Sequence, residues 1–136
     1  MNRIFKILFR LKKKKVFPKK RIVKNKNYLK YKIVALELAK SRLEYFNTFY
    51  NFKYNRVVIR NQKTRWGSCS RQGNLNFNYK IALLPERMSD YIIVHELCHT
   101  KEFNHSHDFW DLVAEQIPDY KEIRKDLHKN GSKIET

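Results

Sequence analysis

The sequence predicts an α+β fold in which a small antiparallel sheet packs against several helices. Apolar residues recur at three- and four-residue spacing before residue 51 and again after residue 85, which is typical of amphipathic helices. Between these regions, three short stretches alternate polar and apolar residues, which is typical of strands. The 136 residues are enough for one domain with a modest core.

The charge of the chain is concentrated at its N-terminus. Of the 30 basic residues, 14 lie in the first 36 positions, where no Asp or Glu occurs, although the whole chain carries a net charge of +17. We therefore predict a basic arm over residues 1–26, partly disordered or forming a short amphipathic helix, and a folded domain over residues 27–136. Such an arm is typical of contact with nucleic acid or with an anionic membrane surface, or of a solvated tail.

The composition indicates a cytoplasmic location. No apolar run approaches the roughly 20 residues of a membrane span. The apolar residues at the N-terminus are interrupted by Lys6 and Arg10, and no small-residue cleavage site of the kind that ends a signal peptide follows them. Two cysteines are too few for a disulfide framework. We expect Cys98 to be a buried thiol, and a Cys69–Cys98 disulfide is the alternative.

The first helix is predicted over residues 28–50, with Asn27 as its N-cap and with Asn47 and Asn51 as stop signals. Three strands follow. They are predicted over residues 54–60, 64–69 and 74–79, the last two forming a hairpin through a turn that contains Gly73 and Asn74.

Three helices are predicted in the C-terminal half. The first covers about residues 85–101, with a proline in its first turn. Ser106 is a suitable N-cap for a second helix that begins at His107 and ends before Pro118. The last helix runs to about Lys129.

A metal-binding pattern lies in the first of these helices. His95 and His99 are four residues apart, so they share one helical face, and Glu96 lies about 100° around the helix. This is the H-E-x-x-H pattern of zinc hydrolases, in which the glutamate is the general base. The flanking residues are apolar nearly all round, which indicates a buried helix whose polar side chains require partners. A metal ion meets that requirement, and a purely structural histidine pair is the alternative.

Two histidines leave a catalytic zinc site one protein ligand short. His105 is favoured as the third ligand because a Ser106 cap would hold it just outside the next helix. The spacing equals that of metzincins, but Glu102 replaces their glycine, so we do not assign the chain to that group. His107 is the alternative ligand, and the remaining candidates are Asp108, Glu102 and Cys98.

Several separate motifs occur in a fixed order along the chain. They are Arg65-Trp66-Gly67-Ser68-Cys69, Asn78, the run from Asp90 to His99, Asn104-His105-Ser106 and Phe109-Trp110. In these motifs, and over residues 33–132, the sequence resembles the YgjP-like metallopeptidase family. The resemblance implies a zincin-like domain with zinc on His95, His99 and His105 and with Glu96 as catalytic base. The chain differs from the family in its basic arm, which stands in place of a longer strand-rich region, and in Thr100, which replaces an apolar residue.

Three further residues are candidates for contact with the substrate or the transition state. Tyr91 lies one turn before His95 on the same face, and packing in the core is its alternative role. Arg65 could bind a carboxylate or a phosphate, or it could be a surface residue at a strand edge. Asn78 could orient a ligand or the backbone near the zinc.

Three functions fit these observations. The first is a zinc metallopeptidase that holds an extended peptide on its sheet edge and activates water with Glu96. The second is a zinc-dependent hydrolase of nucleotide phosphoanhydrides, which requires basic groups near the metal. The third is a nucleic-acid-associated protein with a structural zinc. Three imidazoles suit zinc as the cofactor in each case.

Overall fold

The computed structural model describes residues 19–130 and confirms the α+β class, with three strands and four α-helices in that range. The elements are α1 (Lys19–Tyr50), β1 (Arg56–Arg60), β2 (Gly67–Cys69), β3 (Asn74–Asn78), α2 (Glu86–Cys98), α3 (His107–Gln116) and α4 (Tyr120–Asn130). A 3-10 helix over Tyr79–Leu83 joins β3 to α2. Within residues 19–130, no helix combines the length and the apolarity needed to cross a membrane.

The sheet is mixed and has the strand order β1-β3-β2. The antiparallel prediction is correct for the β2–β3 hairpin, whose turn contains Gly73 at φ 78°, but it is wrong for β1 and β3, which pair in parallel. The chain runs up, down and up again, and β3 inserts between the other two strands. Its Leu75 and Phe77 side chains are fully buried, so the apolar face of the central strand packs into the core.

Helix α1 begins at Lys19, well before the predicted start near Asn27. The residues between them are mostly Lys and Arg, which favour helix intrinsically but carry no apolar period that would reveal it. Part of the predicted arm, residues 19–26, is therefore helical. The predicted amphipathic stretch closer to the N-terminus lies outside the described residues.

The end of α1 follows the prediction. Asn51 adopts the left-handed conformation at φ 54°, which terminates the helix. The Asn47 side chain accepts a hydrogen bond from the Phe52 N–H at 2.8 Å and donates one to the Phe52 carbonyl at 2.9 Å. The chain therefore leaves α1 in a fixed direction toward β1.

Helix α2 lies in the centre of the core, as its apolar sequence predicts. Ile93, Val94 and Leu97 are fully buried. Asp90 accepts two hydrogen bonds of 2.7 Å from Arg42 of α1, a bidentate pair that fixes one helix against the other. The helix that carries the H-E-x-x-H pattern is thus held rigidly.

Both cysteines are free, so the Cys69–Cys98 disulfide is not formed. Cys98 is fully buried, as expected, and burial raises its pKa to about 12. Burial likewise raises the pKa of Cys69 to about 11. Both side chains are therefore neutral thiols at physiological pH.

Candidate metal centre

Three imidazole nitrogens converge at the C-terminal end of α2. The Nε2 atoms of His95 and His99 are 3.1 Å apart, and each lies 3.2 Å from Nε2 of His105. Ligands at 2.0–2.1 Å from a tetrahedral zinc are separated by about 3.3 Å. The three nitrogens therefore have the spacing that one metal ion needs.

Two elements bring these rings together. His95 and His99 lie one turn apart on α2, and the chain then bends so that His105 precedes the N-terminus of α3. Ser106 occupies the N-cap position of α3, as predicted, and His105 therefore lies just outside that helix, but the Ser106 side chain makes no capping hydrogen bond. His99 is 9% exposed, whereas His105 is exposed, so the open side of the centre lies beside His105.

A hydrogen bond on the far side of the His99 ring fixes its tautomer, and the His95 ring also has a polar partner on its far side. Nδ1 of His99 lies 2.9 Å from the Glu102 carbonyl, which can only accept, so Nδ1 carries the proton and Nε2 has a free lone pair. Nδ1 of His95 lies 3.2 Å from the Tyr91 hydroxyl. Such partners are typical of metal-binding histidines, whose rings they orient.

The electrostatics also favour neutral rings. Burial, reinforced by the neighbouring His99 and His105, lowers the pKa of His95 to about 3. Burial also lowers the pKa of His99. A lone pair on a neutral imidazole is the form that binds a metal, so the donor set fits a bound cation.

Aromatic side chains hold the rings from the α3 side. Phe109 is fully buried and stacks on His99 with a centroid distance of 4.3 Å and an interplanar angle of 19°. Trp110 stacks on His105 at 5.7 Å. Both residues therefore pack against the three histidines, which limits the rotation of their rings.

Glu96 lies beside this centre and is only 6% exposed. Burial raises its pKa to about 8, and the positive charge of Arg65 opposes part of that rise. A carboxylate with a pKa near neutrality is suited to proton transfer at physiological pH.

The backbone of β2 passes directly against Glu96. A Cβ atom at Gly67 would lie 2.8 Å from Cγ and 3.0 Å from Oε1 of Glu96, and 3.0 Å from the Asn76 carbonyl oxygen. Position 67 therefore has no room for a side chain. Gly67 is not among the predicted site residues, although a glycine within a strand often marks such a close approach.

A cleft of about 200 Å³ opens beside Glu96 and His95. Its remaining lining residues are Arg65, Trp66, Gly67, Tyr91, Ile92 and Leu127. Leu127 belongs to α4, and no motif predicted that this helix would lie at the site. The cleft therefore lies between β2, α2 and α4.

Two of the other predicted contact residues lie at the cleft and one does not. Arg65 is exposed and lines the cleft, and Tyr91 lines it as well while its hydroxyl contacts His95. Asn78 is buried outside the cleft, where it donates to the carbonyls of Gln62 and Arg65 at 2.8 and 3.0 Å and accepts from Lys80 N at 3.1 Å. Asn78 thus orients the loop before β2.

The alternative ligands do not join the three histidines. Nδ1 of His107 lies 2.8 Å from the Asp111 carboxylate, in an exposed group on α3 that also includes Asp108. Glu102 reaches the centre only through its backbone carbonyl. Cys98 is buried and belongs to neither group.

The fold is similar to those of known metallopeptidase structures. The fold is similar to the crystal structure of the metallopeptidase zymogen of Pyrococcus abyssi abylysin, with a TM-score of 0.60 and 28% sequence identity, covering 67% of this chain and 93% of that chain. It is also similar to the metallopeptidase zymogen of Methanocaldococcus jannaschii jannalysin, with a TM-score of 0.59 and 22% identity, covering 68% of this chain and 95% of that one. The second likeness concerns the fold alone.

The family follows from the sequence. No curated protein matches the chain significantly. A family model described as YgjP-like, metallopeptidase domain, matches residues 9–130, which is most of the chain and confirms the resemblance seen in the motifs. The chain therefore belongs to the YgjP-like metallopeptidase family and is a metal-dependent hydrolase.

Proposed function

We propose that this metallopeptidase uses zinc held by His95, His99 and His105, with Glu96 as the general base. The main support for this proposal is that three Nε2 atoms lie within 3.2 Å of one another beside a buried carboxylate. Three neutral imidazoles are a donor set that suits zinc.

In this proposal, the three histidines hold the metal and Glu96 transfers protons during peptide hydrolysis. When bound, zinc supplies Lewis-acid chemistry and makes a water molecule more acidic. Glu96 takes a proton from the water as its oxygen attacks the peptide carbonyl, and returns a proton to the amine as the C–N bond breaks. Burial raises the pKa of Glu96 to about 8. A carboxyl group with a pKa near the working pH can both accept the proton of the water and return it to the amine.

We assign supporting roles to the other predicted residues. Tyr91 positions His95 through its hydroxyl, and Asn78 holds the loop that carries Arg65 to the cleft. Arg65 is the proposed substrate contact. Among the described residues, β2 pairs only with β3, so its outer edge is available to an extended peptide. A peptide on that edge would pass Gly67 and hence Glu96.

A phosphoanhydride substrate, such as a nucleotide, is the second candidate. The observation that favours it is the pair of exposed arginines near the centre, Arg65 in the cleft and Arg124 above Trp110. Guanidinium groups bind phosphate and carboxylate oxygens alike. Comparing peptide turnover with nucleotide turnover separates the two candidates.

We further propose that the basic arm, residues 1–26, binds a polyanion, either nucleic acid or an anionic membrane surface, and that the enzyme acts in the cytoplasm. The absence of acidic residues from the first 36 positions supports an anionic partner. Residues 27–136 form the catalytic domain in this proposal.

The test of the catalytic assignment is the Glu96→Gln variant with its metal content measured. We expect unchanged zinc and a loss of peptide turnover of at least about a thousandfold, because the base is removed while the ligands remain. Glu37→Gln, an exposed position on α1, is the matched control and should be fully active. Undiminished turnover in the Glu96 variant would refute the assignment.

A further inference from the structure

Arg124 of α4 lies close to the metal centre although it is distant in sequence. The carbon of its guanidinium lies 4.4 Å from the centroid of the Trp110 ring. That ring in turn stacks on His105 at 5.7 Å and lies 5.9 Å from the His95 ring. A cationic side chain is thus held on an aromatic platform beside two of the three ligands.

Arg65 provides a second cation, and it lies in the lining of the cleft itself. It lines the cleft with Glu96 and His95, and its charge acts on Glu96. Within the described residues, Arg42 and Arg87 form ion pairs with carboxylates, whereas Arg65 and Arg124 form none. Two guanidinium groups therefore remain free to bind a ligand.

The surface around Arg124 is basic as well. A shallow groove of about 500 Å³ along α4 is lined by Lys121, Arg124, Lys125, His128 and Lys129. The acidic residues of the same helix are engaged elsewhere, since Glu122 and Asp126 lie 4.0 and 3.7 Å from Arg87 of α2. The positive charge on this side of α4 is therefore not neutralised by its neighbours.

We infer that the site selects peptides that carry carboxylates next to the scissile bond, with Arg65 in the cleft and Arg124 in the adjoining groove of α4 as substrate-binding residues. Guanidinium groups bind carboxylates through two parallel hydrogen bonds, which neutral side chains cannot provide. Leu127 lines the cleft from the same helix as Arg124, so α4 connects the cleft to the basic groove. The inference rests on the proposed peptidase function, but its test does not require turnover.

Binding to the zinc-loaded Glu96→Gln variant tests the inference directly. Fluorescence anisotropy would compare the affinities of three peptides. The first contains Asp and Glu, the second contains Asn and Gln at the same positions, and both have amidated C-termini. The third is the Asn/Gln peptide with a free C-terminal carboxylate. We expect the side-chain carboxylates to improve affinity about tenfold, the usual magnitude for hydrogen bonds to charged groups. Equal affinities for the acidic and neutral peptides would overturn the inference, as would a preference that only the free C-terminal carboxylate produces.

Substitutions then distinguish the contribution of these two arginines to peptide preference from that of the general positive charge of the surface. Arg124→Gln and Arg65→Gln should each remove most of the preference, and Arg124→Glu should shift it toward peptides that contain lysine. Arg56→Gln, an exposed arginine on the opposite edge strand β1, is the matched control and should leave the preference intact. Unchanged preferences in both Arg124 variants, with normal thermal unfolding, would overturn the inference.

Measuring peptide turnover with Glu96 intact distinguishes a failure of this inference from a failure of the proposed function. In an otherwise wild-type chain, Arg124→Gln should raise KM for acidic peptides and leave kcat unchanged. Arginine-dependent binding of acidic peptides without turnover would reject the peptidase mechanism and retain the inference. Competition with a nucleoside triphosphate provides a further test. If the triphosphate displaced the acidic peptide at a much lower concentration than an unlabelled acidic peptide does, and if this required the same arginines, phosphate would be the preferred ligand and the inference would be overturned.

Discussion

A methyl group on Gly67 would lie 2.8 Å from Cγ of Glu96, which is closer than two carbon atoms can approach without displacement. The edge strand and the proposed base are therefore in direct contact. We expect Gly67→Ala to push Glu96 from its position and to lower kcat roughly 10- to 100-fold, because small displacements of a base are costly.

Peptide turnover and bound metal would be measured together for this variant. The metal content should not change, because the three histidines do not contact position 67. Ser68→Ala on the same strand is the control for nonspecific effects on β2. Full activity in Gly67→Ala would show that the close approach has no catalytic consequence.

The Tyr91 hydroxyl lies 3.2 Å from Nδ1 of His95, on the side of the ring opposite Nε2. Tyr91→Phe should weaken metal binding about tenfold, because the ring loses the partner that orients it. Competition with a chelator of known affinity would measure the effect. Tyr28→Phe removes a partly buried hydroxyl that donates to the Ile59 carbonyl on β1, and it should leave metal affinity unchanged. Equal affinities in both variants would contradict the role of Tyr91.

Asn78 uses its side chain to hold the loop before β2. Asn78→Ala leaves the carbonyls of Gln62 and Arg65 and the N–H of Lys80 without these partners, so we expect a loss of about 2–3 kcal/mol in the free energy of unfolding. Because Arg65 is carried by this loop, KM should also rise. Urea unfolding and peptide kinetics would measure both effects, with exposed Asn61→Ala as control. Unaltered stability would show that the loop is held by other contacts.

The metal-free protein should become less stable in mild acid. Burial lowers the pKa of His95 to about 3, from 6.5 in the unfolded chain, and burial lowers that of His99 as well. Below pH 6.5 the unfolded chain therefore binds protons that the folded chain does not. The free energy of unfolding should fall by up to about 1.4 kcal/mol per pH unit for each such group.

Chemical unfolding of chelator-treated protein between pH 7 and pH 4 would test this dependence. The stability that the neutral histidines contribute is fully present above pH 6.5 and is lost as the pH falls. His95→Gln should show a shallower decline than the wild type. Identical slopes for the two proteins would mean that His95 is not the group responsible.

Local features of the site could be predicted from the sequence. His95 and His99 share one helical face because of helical geometry alone, and His105 lies outside α3 because that helix begins at His107, after Ser106. Burial of α2 follows from its apolar residues. These features are set by short-range geometry, so a single sequence is sufficient to predict them.

Features that depend on long-range packing could not be predicted in this way. The parallel pairing of β1 with β3 depends on which strand takes the central place, and each strand alone has the same alternating pattern. The contact of Gly67 with Glu96 joins β2 to α2, and the approach of Arg124 to Trp110 joins α4 to α3. The early start of α1 was missed because lysines carry no hydrophobic period.

The most direct test of the account is the amount of metal bound per chain, measured by elemental analysis in the wild type and in His105→Ala. His107→Ala is the matched control, because His107 pairs with Asp111 instead. We predict about one zinc per chain in the wild type and in the control, and a sharp reduction in His105→Ala, as expected when one of three ligands is lost. No tightly bound metal in the wild type, or full retention in His105→Ala, would contradict the three-histidine site.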